Sequence, residues 1–522
     1  MTSRKIGARR GIAFVTSHEP GNTRHRFALV HLDVMYDTLP RTLFQNSVLV
    51  DPHPMHHPGG PTAEEKVMVK TVARVRRRLG SPPPGGISPS DPNPFGWGPF
   101  VVLFIVGMVD RIEHNLMSGV LPLVQAEWGF SDTAAGSIPT ASALAAAIVA
   151  LPAGYLADRH SRTKIIAIVV FCWALVTLGS GLAAGFAVFY LTRVLLAAAE
   201  NVDNPAVGSL LADYYPAATR MQVYGWTRMT TYLGGVGTLL GGVIGQAYGW
   251  RAAFLLMAIP GALTAVLVWR LREPQRGQID KLMATAATPP PTAAVPPQTP
   301  PPGAGAKPLF WRQVRQVLAI RTLVLVGLGI MILTFGLGGV YYWLPSLMVR
   351  VFGMETGVAS SISGGITIVG VLAGTVVGTY LGKRMHGRVK GGRLLVGGAG
   401  ITIGSALLGV ALLMSSTVAL VILILLAVTI SSTAIPTCTA CVADVVTATS
   451  RGVGFAVLQV LLTIGVAFGP LVVGMTSDAT GSLLLAMYAL IVPMVLGGLV
   501  VLAARGSYER EAARVLDDAR TS

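Results

Sequence analysis

From Pro99 onward the chain alternates long apolar runs with short polar or glycine-rich breaks. A helix needs roughly 20 apolar residues to cross the hydrocarbon of a bilayer, so each run reads as a span. The pattern predicts spans over 99–126, 134–157, 164–184, 186–212, 222–248 and 251–271, then 319–348, 355–381, 392–414, 417–444, 450–476 and 482–504. The expectation is an all-α membrane protein of twelve transmembrane helices. Residues 1–97 have no sustained periodicity, turn proline-rich in "GSPPPGGISPSDPNP", and predict a disordered, basic cytoplasmic tail. Residues 98–272 form one six-span unit and 319–504 a second. Between them, 273–318 contains "TPPPTAAVPPQTPPPGAGAKP", which cannot pack as helix or strand, followed by "FWRQVRQVLAIR", a candidate amphipathic surface helix. Residues 505–522 make a second cytoplasmic tail.

Composition agrees. The chain is 52% hydrophobic and 12% charged, about half the charge of a soluble protein. Its net charge is +16, but the cations gather in "DRHSRTK", "ATR", the linker and "KRMHGRVKGGR", whereas the opposite loops offer Arg251 and Arg350. That asymmetry reads as orientation rather than nucleic-acid binding: both termini lie in the cytoplasm of a cell (plasma or inner) membrane. Three cysteines give no disulfide framework. The Cys438-x-x-Cys441 pair lies in an apolar stretch without further ligands, so no metal is expected. No phosphate-cradling loop and no nucleophile–base constellation appears, so neither an enzyme nor a cofactor is expected.

Charges inside the spans carry the candidate chemistry. "GMVDRIEHNLMSGVLP" places Asp110, Arg111, Glu113 and His114 near the middle of span one. A charge there costs roughly 2.5–3.5 kcal/mol, which is tolerated when the group is paired or faces water. Asp110, Glu113 and His114 share one face, while Arg111 turns away by about 100°. In span four, Arg193 and Glu200 are aligned seven residues apart. With Arg228 of span five, these seven groups are the candidate proton-coupling and substrate cavity. Carboxylates suit coupling because burial and a nearby arginine move their proton affinity in opposite directions, and His114 titrates near neutrality unaided. The second half instead offers Tyr341, Tyr342, Trp343 and hydroxyls. "GGVGTLLGGVIG" sets Gly237, Gly241 and Gly245 every four residues, a pattern for close helix packing.

The two halves echo each other: "GYLADRHSRTK" follows span two and "GTYLGKRMHGRVK" follows span eight. At the first of these the chain resembles the major facilitator superfamily, whose signature Gly154, Leu156, Ala157, Asp158, Arg159, Arg162 and Lys164 fit, with Ser161 in place of the usual glycine. "LTRVLLAAAENVDNPAVGSLLADYYP", "GGVYYWLPSLMVR" and "VLQVLLTIGVAFGPLVVGMTSD" are similar to spans four, seven and eleven of its Spinster branch. The resemblance implies two pseudo-symmetric six-helix bundles working by alternating access on a lysolipid-like amphiphile or other anionic small molecule, with a drug or organic-anion exporter as the alternative and a non-transporting membrane sensor as a reading from a different class. Protons are the expected coupling ion, from the buried carboxylates and histidine; a monomer in the bilayer and no nucleic-acid partner are expected as well. An inner gate is expected where Asp158 meets the start of span eleven near Arg451, and where Arg159 and Arg162 meet Asp213.

Overall fold

The computed structural model describes residues 91–281, 306–447 and 450–521; side chains at 151, 154, 156–158, 201–205, 306–310, 519 and 521 are outside the description. Residues 1–90 of the expected N-terminal tail and residues 282–305 of the linker therefore lie outside the described residues; residues 91–97, expected to be disordered, instead pack on the first bundle, with Phe95 buried and Trp97 stacked on Tyr215.

Helices cover every predicted span. The first half holds α1 (Gly98–Trp128), α2 (Asp132–Arg159), α3 (Arg162–Gly181), α4 (Phe186–Tyr214), α5 (Ala217–Arg228), α6 (Gly234–Tyr248) and α7 (Trp250–Trp269). After α8 (Ala306–Leu318), the second half holds α9 (Arg321–Phe352), α10 (Thr356–Met385), α11 (Gly392–Leu412), α12 (Thr417–Ser432), α13 (Ala434–Val445), α14 (Arg451–Thr480), α15 (Leu483–Tyr488) and α16 (Ile491–Ala503), and α17 (Arg505–Thr521) closes the chain. Among the described residues, nine helices are long and apolar enough to cross a membrane, counting Thr417–Val445 and Leu483–Ala503 as one each. The charged helices α1 and α4 and the pair α5–α6 fall outside that set. A 3₁₀ turn, Met229–Leu233, joins the two helices of the pair, and such mid-helix turns often mark hinges.

Each half packs on itself: α1 on α6, α2 on α4 and α3 on α7 in the first, α9 on α14, α10 on α12 and α11 on α16 in the second. The halves meet through α6 with α10, α2 with α14, and α1 with α9. Glycines permit this. A Cβ on Gly237 would lie 1.9 Å from the Ile112 carbonyl of α1, and one on Gly235 2.4 Å from the Gly364 carbonyl of α10.

One face of the bundle, the tail face, carries the starts of α1 and α17; the other is the far face. The close contacts between halves lie toward the far face. There, α1 is buried on all sides from Leu116 to Leu121 and α9 from Trp343 to Met348. Toward the tail face α5 buries only Thr219 and Val223.

Each half carries its own clamp at the tail face. In the first, Arg162 donates to Asp213 and, at 2.8 Å, to Glu273, while Glu273 accepts from the Thr163 amide at 2.8 Å. Burial alone would push the Glu273 carboxyl up, but the Thr163 amide and the Arg162 guanidinium outweigh it and hold it below the usual carboxylate range. In the second, Arg393 and, at 2.6 Å, Tyr508 donate to Asp444, while Glu509 accepts from the Gly391 amide at 2.6 Å. "LADYYPAATR" and "VADVVTATSR" are the matching sequences around Asp213 and Asp444.

Candidate functional site

The centre of the site is a buried ion pair between α1 and α4. Arg193 donates to Glu113 at 2.7 Å; the arginine is 4% exposed and the glutamate 0%. Thr177 of α3 donates to the same carboxylate oxygen at 3.2 Å, and the second arm of Arg193 meets the Ser180 hydroxyl at 2.5 Å. The guanidinium stands 4.7 Å over the Phe254 ring of α7. Three helices thus hold the arginine of a fourth by charge, hydroxyl and ring face, which compensates the cost of removing it from water.

A second acid lies beside it. Glu200, seven residues along α4, interacts with Glu113, and His114 Nδ1 is 3.4 Å from Glu200 Oε2. Glu113 thus holds the buried guanidinium, and a second carboxylate lies beside the pair with an imidazole at its edge. One turn toward the tail face, Asp110 and Arg111 pair at 3.4 Å. The side chains of Arg111 and His114 are 39% and 50% exposed.

Of these groups, His114, Arg193 and Glu200 line a cavity of about 150 Å³, whereas Asp110, Arg111 and Glu113 do not reach its wall. His114, Asn115, Ser118, Arg193 and Glu200 form its first-half wall; Gly338, Tyr341, Tyr342, Val466 and Pro470 form the second-half wall. A void of about this size takes one benzene ring. Beyond it toward the far face, Tyr342 donates across the halves to the Ala135 carbonyl at 2.8 Å, while Trp343 donates within the second half to that of Pro470 at 2.9 Å.

The structure brings Glu113, His114, Arg193 and Glu200 together and sets Asp110 and Arg111 next to them. Arg228 is exposed and is not among the residues lining the cavity. Of the expected gate residues, Arg162 pairs with Asp213 inside one half. Arg159 lies 4.2 Å over the Tyr155 ring, and Arg451 is exposed at the start of α14. The side chain of Asp158 is outside the described residues. Cys438 and Cys441 are buried free thiols, and no metal-binding cluster occurs among the described residues.

Several polar residues around the site were not anticipated. Thr177 and Ser180 sit three apart on α3, a spacing that marks a common face but says nothing of what it meets. At the far face, Asp132 accepts from Arg350 at 2.7 and 2.8 Å, from Gln125 at 2.9 Å and from Ser477 at 2.6 Å. Arg350 had entered only as an orientation signal.

Comparison with known proteins fits this arrangement. Residues 102–434 match the Major Facilitator Superfamily. Protein spinster homolog 3 of Danio rerio is 24% identical over 332 residues, covering 60% of this chain and 63% of that protein; the chain thus spans less than two thirds of that relative's length. The gallate transporter of Pseudomonas putida is 28% identical over 340 residues, covering 60% and 73%. Among solved structures, a bacterial homologue of the human lysosomal transporter Spinster, inward-facing and unoccupied, superposes with a TM-score of 0.66 at 23% identity. That match covers 80% of this chain and 97% of the homologue.

Proposed function

The chain belongs to the Major Facilitator Superfamily, a family of membrane transporters rather than enzymes, and from that premise we propose that it carries a small organic anion together with a proton by alternating access. The observation that supports this most is the charge count at the buried node: Glu113 and Glu200 against Arg193, with His114 beside them. Two negative charges and one positive in a low-dielectric site leave room for one proton, on Glu200 or on His114. An anion entering the cavity adds a negative charge, so it binds better when that proton is present. By linkage the proton also binds better when the anion is present. Mutual reinforcement of this kind favours symport.

The cavity favours the smaller of the expected cargoes. At about 150 Å³ it suits a short ring or chain with one carboxylate, whereas a lysolipid needs the halves to part further. The relatives include a gallate transporter and a cis,cis-muconate transport protein, both named for organic acids. The lysolipid reading keeps support from the Spinster resemblance and from the apolar, aromatic wall of Tyr341 and Tyr342.

Orientation follows the cations. Arg159, Lys164, Lys383, Arg384, Arg388 and Lys390 stand at the tail face, against Arg251 and Arg350 at the far face, so the tail face is cytoplasmic and the conformation inward-facing. The gate of Asp158 and Arg159 with the start of α14 at Arg451 belongs to the opposite state, in which the tail halves of α2 and α14 close. The clamp of Arg162 and Asp213 then moves as part of one rigid half.

Reconstitution in liposomes with an imposed pH gradient tests the proposal. Uptake of labelled benzoate, muconate and a lysolipid is followed in wild type and in Glu200→Gln. Acid outside should accelerate organic-anion uptake in wild type only; equal pH response in Glu200→Gln would refute the assignment of coupling to this residue.

A further inference from the structure

At the far face the halves are joined by two contacts of the same design. Asp478, near the end of α14, accepts from the backbone amides of Asp132 and Thr133 at 3.0 and 2.8 Å, the first residues of α2 in the other half. Gln246, near the end of α6, accepts from the amide of Gly357 at 2.5 Å, the second residue of α10 in the other half. Each is a helix N-terminus capped by a side chain from the opposite bundle. The first amides of a helix have no partner within it and carry the positive end of its dipole.

The two contacts are in register along the sequence. "GVIGQAYG" ends α6 and "GMTSDATG" ends α14. Gln246 and Asp478 each stand four residues after a glycine, Gly242 or Gly474, and three before another, Gly249 or Gly481, which adopts φ of 84° or 68°. The first glycine sets the approach: a Cβ on Gly242 would fall 2.2 Å from Ser360 Cβ of α10, and one on Gly474 2.2 Å from the Asp132 carbonyl of α2. The receiving segments "SDTAAGS" and "ETGVASS" align as well, Thr133 with Gly357 and Gly136 with Ser360. The pair is thus one device present twice, related by the internal repeat.

We infer that Asp478 and Gln246 are twin latches whose helix caps across the halves hold the far face shut and set the balance between the two states of the transporter. The latches differ in strength. The Asp478 cap is ionic and is reinforced by the Asp132 carboxylate, which gathers Arg350, Gln125 and Ser477 from three other helices. The Gln246 cap is neutral, and its amide donates to Glu355 at 2.7 Å. An ionic cap is the stronger of the two, so α2 and α14 part last when the far face opens.

Spin-label distance measurements on the full chain in lipid nanodiscs test the inference. With Cys172→Ser as background, one pair (Ala184→Cys with Ser415→Cys) spans the halves at the far face and another (Lys164→Cys with Lys390→Cys) at the tail face. Asp478→Ala should raise the share of molecules with a long far-face and short tail-face distance about fivefold. Gln246→Ala should raise it less, and the double variant by about the product. Asp478→Asn keeps an acceptor of the same size and should shift the balance in the same direction by a smaller factor, which covers the case of a poorly folding alanine variant. Unchanged distances in the double variant would overturn the inference. So would far-face lengthening without tail-face shortening, since that is fraying rather than a change of state.

Discussion

At the scale of single residues, the account turns on an excess of acid over base. Glu113→Gln should cost about 3–5 kcal/mol of stability, because Arg193 then stays buried without its counter-ion. Replacing both, Glu113→Gln with Arg193→Gln, should recover much of that loss; thermal unfolding in detergent reads both. Glu200→Gln is different in kind, since His114 is half exposed and Arg193 keeps its main partner. Unfolding should shift little while the pH response of uptake disappears. These assignments were legible in sequence because Asp110, Glu113 and His114 share one helix face and Arg193 and Glu200 another, so period alone places them. Thr177, Ser180 and Phe254 were not. They come from other helices, and a hydroxyl within an apolar run carries no mark of the ion pair it supports.

At the scale of elements, glycine decides how near the helices come. Gly237→Ala forces α6 from α1, because the new Cβ would meet the Ile112 carbonyl at 1.9 Å. A loss of about 1–3 kcal/mol is expected. Gly225→Ala in α5 meets nothing within 4 Å and should be neutral or stabilising by up to about 1 kcal/mol. The tail-face clamp gives a pH prediction. Glu273 has its folded-state proton affinity depressed, so its contribution is complete above its unfolded pKa and is lost as pH falls through the folded one. Glu273→Gln should therefore lower the melting temperature at neutral pH, and the difference from wild type should shrink below about pH 4. The recurrence of glycine in α6 could be read from sequence, since small residues every four positions form a groove. The 3₁₀ turn at Met229–Leu233 was not read from sequence, although the Gly234–Gly235 pair directly after it is a local signal for a break in the helix.

At the scale of the molecule, the apolar runs gave the helix order, and the repeated basic loops gave the division into halves. Which state the halves adopt was beyond such reading. It rests on contacts between residues more than a hundred positions apart, such as Asp132 with Asp478 and Gln246 with Gly357, each worth little beside the packing within a half. The same weakness lets the far face open. The central claim is that the node of Glu113, Arg193, Glu200 and His114 binds proton and anion together. Its most direct measurement is proton movement accompanying anion entry, recorded with a pH-sensitive dye trapped in liposomes that contain the purified protein and no initial gradient. Adding an aromatic or dicarboxylic acid anion outside should acidify the lumen in wild type and leave it unchanged in Glu200→Gln. Anion uptake with no proton entry in wild type, or equal acidification in the variant, would contradict the account.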